Sequence, residues 1–122
     1  MSEQTPGTPR CAMPAEWEHH HATWIGWPQK RSDWPGKFAP IPWVYSEIAR
    51  KITRGELLRI LVDTPQVEAK ARRVLTSAGV DLSSVEFFRV PTNRGWTRDS
   101  GPMFVRCSSG QRKPAIVNFR FS

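Results

Sequence analysis

The segment 42–79 most narrows the folds open to this chain, because its hydrophobic period switches from helical to extended and back. Val44, Ile48 and Ile52 recur every four residues, with Tyr45 and Ala49 beside them, and Pro42 suits a first helical turn. The spacing predicts a helix over about 42–54 that ends at Gly55. "LLRILVD" (57–63) is then almost continuously apolar, as a strand covered on both faces would be. Thr64 is placed to cap a second helix whose first position is Pro65. Val67, Ala71, Val74, Leu75 and Ala78 form its buried stripe before Gly79 stops it.

The flanking segments extend this alternation. "ATWIGW" (22–27) is a short aromatic, β-rich run closed by Pro28, and "VEFFRV" (85–90) reads as the next strand. Between the first strand and the first helix, "PQKRSDWPGKFAP" is a loop with a turn at Trp34-Pro35-Gly36. "PMFVRC" and "AIVNFRF", joined by "SSGQRK", read as a β-hairpin. The order strand, helix, strand, helix, strand, hairpin is an α/β layout. The last run reaches Phe121, which predicts a sheet continuing beyond Ser122; a terminal edge strand is the alternative ending. Residues 1–12 carry almost nothing to bury and read as a disordered leader, with order starting near Met13.

Composition then limits the function classes. With 122 residues and 39% apolar content the chain fits one domain with a modest core. Its formal charge of +7 raises a nucleic-acid-binding reading, with Lys30 and Arg31 interleaved among tryptophans that could stack on bases. The cations are scattered, however, as Lys30-Arg31, Arg50-Lys51, Arg54, Arg72-Arg73 and Arg112-Lys113, with no basic block. A solvated basic surface, with Trp24, Trp27 and Trp34 packing core or loop, accounts for the same residues. Cys11 and Cys107 stand alone, so two free thiols are expected rather than a zinc site or a disulfide. Without a signal peptide or an apolar run long enough to span a bilayer, a cytoplasmic setting with no membrane partner is expected.

Three stretches carry candidate chemistry. His19, His20 and His21 are consecutive, so in an extended chain they alternate faces and lack a carboxylate or cysteine at ligand spacing; local hydrogen bonds near Glu16 and Glu18 are expected instead of a metal. Gly95 and Gly101 are isolated and form no phosphate loop. "TNRGWTRDSGPMFV" (92–105) places Asp99 after Trp96 and Arg98 at a strand's end, where ligand-reading groups gather in α/β sheets. A carboxylate accepts two parallel hydrogen bonds from a guanidinium, and an indole nearby can stack on it. Asp99 with Trp96 is thus a candidate guanidinium receptor. An Arg98–Asp99 pair in a Gly-Pro turn fits the same spacing.

"MPAEWEHHHATWIGWP" (13–28), "DWPGKFAPIPWVYSEIARKI" (33–52) and "TNRGWTRDSGPMFV" resemble the N-terminal part of the agmatine deiminase and bacterial (Porphyromonas-type) peptidylarginine deiminase family. The likeness runs over about 13–121, roughly the first third of a family member. It implies a pentein fold, a ring of ββαβ modules of which this chain supplies the first and the start of the second. It also implies deimination of a guanidinium substrate, agmatine to N-carbamoylputrescine and ammonia, with peptidyl-arginine as the alternative substrate. In that chemistry a cysteine thiolate attacks the guanidinium carbon, ammonia leaves, and water releases the ureido product; no cofactor and no metal are needed.

Carried onto this chain, the resemblance makes Asp99 the first of two acids that hold the guanidinium and Trp96 a wall of the pocket. The nucleophile, the histidine and the second acid belong to segments beyond this chain, so the chain alone is expected to be inactive. Neither Cys11 nor Cys107 corresponds to the nucleophile, and His20 corresponds to a histidine that is not catalytic. A homo-oligomer is compatible with the full-length protein, and no nucleic acid is expected as partner. Many relatives carry an acidic and a small residue where this chain has Arg94 and Gly95, and Pro and Glu at His19 and His21, which leaves the substrate's far end open.

Overall fold

The computed structural model describes residues 10–108 and 114–117. Its elements in chain order are β1 (Cys11–Ala12), β2 (Ala22–Gly26), α1 (Ile41–Ile52), β3 (Leu57–Val62), α2 (Pro65–Ser77), β4 (Val85–Arg89), the single turn α3 (Thr97–Ser100), β5 (Met103–Cys107) and β6 (Pro114–Val117), with short 3-10 turns at Arg31–Asp33 and Leu82–Ser84. The described residues fall into two compact units, one formed by residues 20–99 and the other by those of 10–19 and 100–117.

The larger unit is built on a parallel sheet ordered β2-β3-β4, in which Ile25 pairs with Ile60 and Ile60 with Phe87. Parallel neighbours need crossovers, and α1 and α2 supply them. Thr64 caps α2 by accepting a hydrogen bond from the Val67 N–H at 3.2 Å, with Pro65 in the first turn. Gly79 ends it at φ +73°, a left-handed conformation that glycine adopts without a Cβ clash. Leu58, Ile60 and Val62 are fully buried, with Ala71 and Leu75 of α2 and Ala49 of α1.

Two expectations need correction here. The run "LLRILVD" is covered on one face only: Leu57, Arg59 and Leu61 alternate with the buried residues and are half-buried. On that open face Arg59 lies over Trp24 at 5.3 Å and over Phe88 at 5.9 Å and pairs with Glu86 at 2.7 Å. The buried side of α1 is also rotated from the expected stripe. Ser46 and Ala49 are buried with Tyr45 and Ile52 against the core, while Val44, Ile48 and Trp43 are exposed. Apolar residues surround this helix, so the period alone permits several faces. Packing selects the one whose small residues admit close approach, and Ser46 fits there because its hydroxyl donates to the Pro42 carbonyl at 2.9 Å.

Of the scattered cations, Arg50 pairs with Glu47 and Arg72 with Glu68. Glu68 accepts from Arg89 at 2.7 Å and pairs with Arg72 at 2.8 Å, and these bonds, the Arg89 one foremost, hold its carboxyl below the usual carboxylate range. Arg72 in turn lies 4.2 Å from the Phe87 ring centre.

The smaller unit is an antiparallel sheet ordered β1-β5-β6, so the expected hairpin is present; its connection at 109–113, and 118–122, lie outside the described residues. Residues 1–9 of the expected leader also lie outside them, while Cys11 and Ala12 are paired with β5. In that register Cys11 stands directly opposite Cys107, and the two form a disulfide. The expectation of two free thiols is therefore wrong. Nothing in the local spacing links cysteines 96 residues apart; the antiparallel register brings them together. Glu18 anchors the same unit by accepting from the Ala15 N–H at 3.1 Å and pairing with Arg106.

Candidate functional site

All three strands of the larger sheet run in one direction, so their carboxyl ends, Gly26, Val62 and Arg89, open on one edge. The chain beyond each is tied back to its neighbour. The Trp27 N–H donates to the Leu61 carbonyl and the Val90 N–H to the Val62 carbonyl, both at 2.9 Å. One step further, the Thr92 N–H donates to Asp63 Oδ1 at 2.5 Å, and Gln29 Nε2 donates to the Thr92 carbonyl at 3.3 Å. These bonds carry the segment 92–96 across the end of β2.

At the crossing, two glycines let the backbones touch. A Cβ built on Gly26 would lie 2.9 Å from Gly95 Cα and 3.0 Å from its carbonyl oxygen. Backbone atoms cannot rotate away as a side chain can. Gly26→Ala is therefore expected to push Gly95 and Trp96 aside and to cost about 1–3 kcal/mol, as overpacking does. A lower urea midpoint, with a changed near-ultraviolet tryptophan signal, checks this; an unshifted midpoint would show that the contact is slack.

Beside this crossing is a small hollow of about 20 Å³, room for roughly one water, whose walls include Gln29, Asp33, Trp34, Tyr45, Arg94 and Trp96. The Trp34 and Trp96 rings stack with centres 6.2 Å apart and planes at 20°. The Asp33 side chain is only 6% exposed and forms an ion pair with Arg94, whose own side chain is 54% exposed. Burial pushes the Tyr45 hydroxyl's pKa up, and the nearby Asp33 charge adds to the rise.

Of the residues expected from the sequence, Trp96 is a wall of this hollow and 52% exposed. Asp99 is exposed on α3 and lies outside the lining. Thr97 holds α3 against the sheet end, its hydroxyl donating to the Trp24 carbonyl at 3.4 Å and its N–H to the Gly95 carbonyl at 3.1 Å. Trp27 is buried, as a core tryptophan should be, and Trp34 caps the hollow. Of the three histidines, His20 has Nδ1 3.7 Å from Glu56 Oε2, just before the start of β3. Asp33 and Gln29 were missed in the sequence, and Arg94 was noted there only as a departure from relatives. The only cue to them was that Asp33 opens "DWPGKFAPIPW", since nothing local links it to Arg94. Among the described residues no group of three or more His, Cys, Asp or Glu is placed to hold a metal ion, and no helix is long and apolar enough to cross a membrane.

Comparison with known proteins bears on these elements as a whole. The agmatine deiminase of Pseudomonas aeruginosa (strain LESB58) is 33% identical over 109 residues, which is 86% of this chain and 27% of that protein. The agmatine deiminase of Medicago truncatula is 34% identical over 103 residues, 84% of this chain and 26% of the relative. Among solved structures, the C. jejuni agmatine deiminase superposes with a TM-score of 0.72 at 18% identity, covering 95% of this chain and 33% of that one. The chain thus spans about a quarter to a third of the length of the relatives it matches. Its α/β elements are those of the pentein fold expected from the opening motifs. The family profile described as Porphyromonas-type peptidyl-arginine deiminase matches residues 12–122, nearly every element above, and to that family this chain belongs.

Proposed function

We propose that this chain is the guanidinium-holding N-terminal part of a deiminase that hydrolyses agmatine to N-carbamoylputrescine and ammonia. The observation that carries the reading is the placing of "WTRDSGP" (96–102) just past a parallel sheet's carboxyl edge, with Asp99 exposed one turn beyond the indole of Trp96. A carboxylate there presents two acceptor oxygens to a planar, forked donor. Relatives named as agmatine deiminases, at about a third identity, supply the substrate class.

In this reading Asp99 fixes the guanidinium plane, Trp96 limits where its stem can lie, and a cysteine thiolate supplied by the rest of the protein attacks the central carbon. The bound cation also favours thiolate over thiol at the attacking cysteine. Ammonia leaves with its proton from a histidine, and water then cleaves the carbon–sulfur bond. The thiolate is assigned outside these residues because Cys11 and Cys107 are joined to each other, and the family resemblance puts the histidine and a second acid there too.

Ammonia release separates the possibilities. The full-length protein is expected to release ammonia from agmatine, and the 122-residue chain is expected to release none. Turnover by the chain alone would overturn the assignment of the nucleophile. The family description also admits arginine in peptides. Citrulline formation in a peptide, with agmatine left untouched, would move the substrate to that alternative and keep the guanidinium chemistry.

A further inference from the structure

The bridge in the smaller unit is placed where a reagent can reach it and where little chain must move when it opens. Cys11 is exposed on β1, whereas Cys107, directly opposite it on β5, is half-buried. A disulfide yields to an attacking thiolate, and access to each sulfur decides which one is attacked. Exposed bridges are the labile ones. These two are the only cysteines in the 122 residues, so each half of an opened bridge has one partner to return to.

One end of the bridge is also lightly held. β1 pairs with β5 through two residues, Cys11 with Cys107 and Ala12 with Arg106, and the Ser108 N–H donates to the Arg10 carbonyl at 2.9 Å. Without the covalent tie, a pairing this short has few hydrogen bonds to oppose the chain entropy that its release recovers. β5 itself stays paired to β6 from Met103 opposite Val117 to Arg106 opposite Pro114. Opening the bridge therefore frees β1 and leaves the β5-β6 pairing in place.

We propose that Cys11 is a reversible S-thiolation site for a low-molecular-weight thiol of the glutathione class, that Cys107 is the thiol that resolves it, and that β1 leaves β5 while the adduct is present. The small molecule's thiolate attacks Cys11 Sγ. A new sulfur–sulfur bond forms there as the Cys11–Cys107 bond breaks, and the Cys107 thiolate leaves and takes up a proton. A second small thiol attacks the small-molecule sulfur of the adduct, which forms the symmetrical disulfide and releases Cys11 as a thiol. Two electrons pass from two thiols to one bridge, and the oxidised small thiol runs both steps backwards. The site uses neither Trp96 nor Asp99, and it stands or falls independently of the deiminase reading.

The test incubates the oxidised 122-residue chain with reduced glutathione in native buffer, quenches with acid and maps the adduct by peptide mass, while hydrogen exchange follows the Ser108 amide. Glutathione is expected on Cys11 in about ten-fold or greater excess over Cys107, because the exposed sulfur is attacked first. Exchange at Ser108 should rise about five- to ten-fold as the adduct forms, the worth of its one hydrogen bond to Arg10. The amides of the buried Leu58 and Ile60 should keep their protection. Cys107→Ser treated with oxidised glutathione should hold its adduct on Cys11, whereas the unaltered, reduced chain should expel it and close the bridge. A bridge that glutathione opens only in urea would be purely structural and would overturn the proposal. So would an adduct formed first on Cys107, or Ser108 exchange that does not change on opening.

Discussion

Asp99→Asn in the full-length protein is expected to lower kcat/KM for agmatine by about a hundred- to a thousand-fold while leaving the fold intact. The substitution keeps the side chain's size and replaces one acceptor oxygen with an NH₂ that faces another donor. It removes two charge-assisted hydrogen bonds from the guanidinium in one step. The fold should tolerate it because Asp99 is exposed on a single turn held by Thr97 rather than by its own carboxyl. A lower kcat and a higher KM are both expected, since the same carboxylate binds the ground-state cation and fixes the plane for attack. The turn-residue alternative predicts the opposite pattern, lower stability with kcat/KM within a factor of about three. Steady-state kinetics beside a urea titration separate the two, and an unchanged kcat/KM would remove Asp99 from the guanidinium site.

The elements were legible wherever residues within a few positions of one another decide the outcome. Thr64-Pro65 and Gly79 bound α2, because a cap, a first-turn proline and a left-handed stop are local chemistry. The strand at "LLRILVD" was legible for the same reason, though not its coverage. A continuous apolar run states that both faces avoid water without stating what shields each, and here Arg59 with Trp24 and Phe88 fills the face the helices leave. On α1 the period was right and the face was not. Val44-Ile48 and Tyr45-Ala49-Ile52 are both apolar rows, and only packing against β3 and α2 chooses between them.

The site was legible as motif and opaque as geometry. "WTRDSGP" gave away its place after a strand, while the roles of Trp96 and Asp99 became expectations only through the family resemblance. Asp33 and Arg94 are far apart along the chain and meet only because β2 and β4 run parallel and end together. Likewise, neither Gly26 nor Gly95 signals by itself that one backbone must pass within van der Waals contact of the other. Such pairings depend on register, which no single segment records.

Register also underlies the last large effect. Removing the Cys11–Cys107 bridge, by Cys11→Ser with Cys107→Ser, is expected to cost about 2–4 kcal/mol in urea denaturation. The bridge links residues 96 apart and so encloses the whole of the larger unit in the unfolded chain. Loop-closure entropy for a loop that long would by itself amount to about 4–5 kcal/mol, and native-state imperfections usually reduce the measured value. Locally the consequence should be sharper. β1 is only two residues long, with its ladder to β5 extended by the Ser108 N–H donating to the Arg10 carbonyl at 2.9 Å, so the bridge is a large share of a short pairing. Protease cleavage near residues 10–20 should therefore rise on reduction before the larger unit, whose core is Leu58, Ile60 and Leu75, begins to unfold. Thiol titration of the denatured, unreduced chain supplies the decisive control: two reactive thiols would show that the cysteines are not joined, and would return them to the free state that their isolation in the sequence suggests.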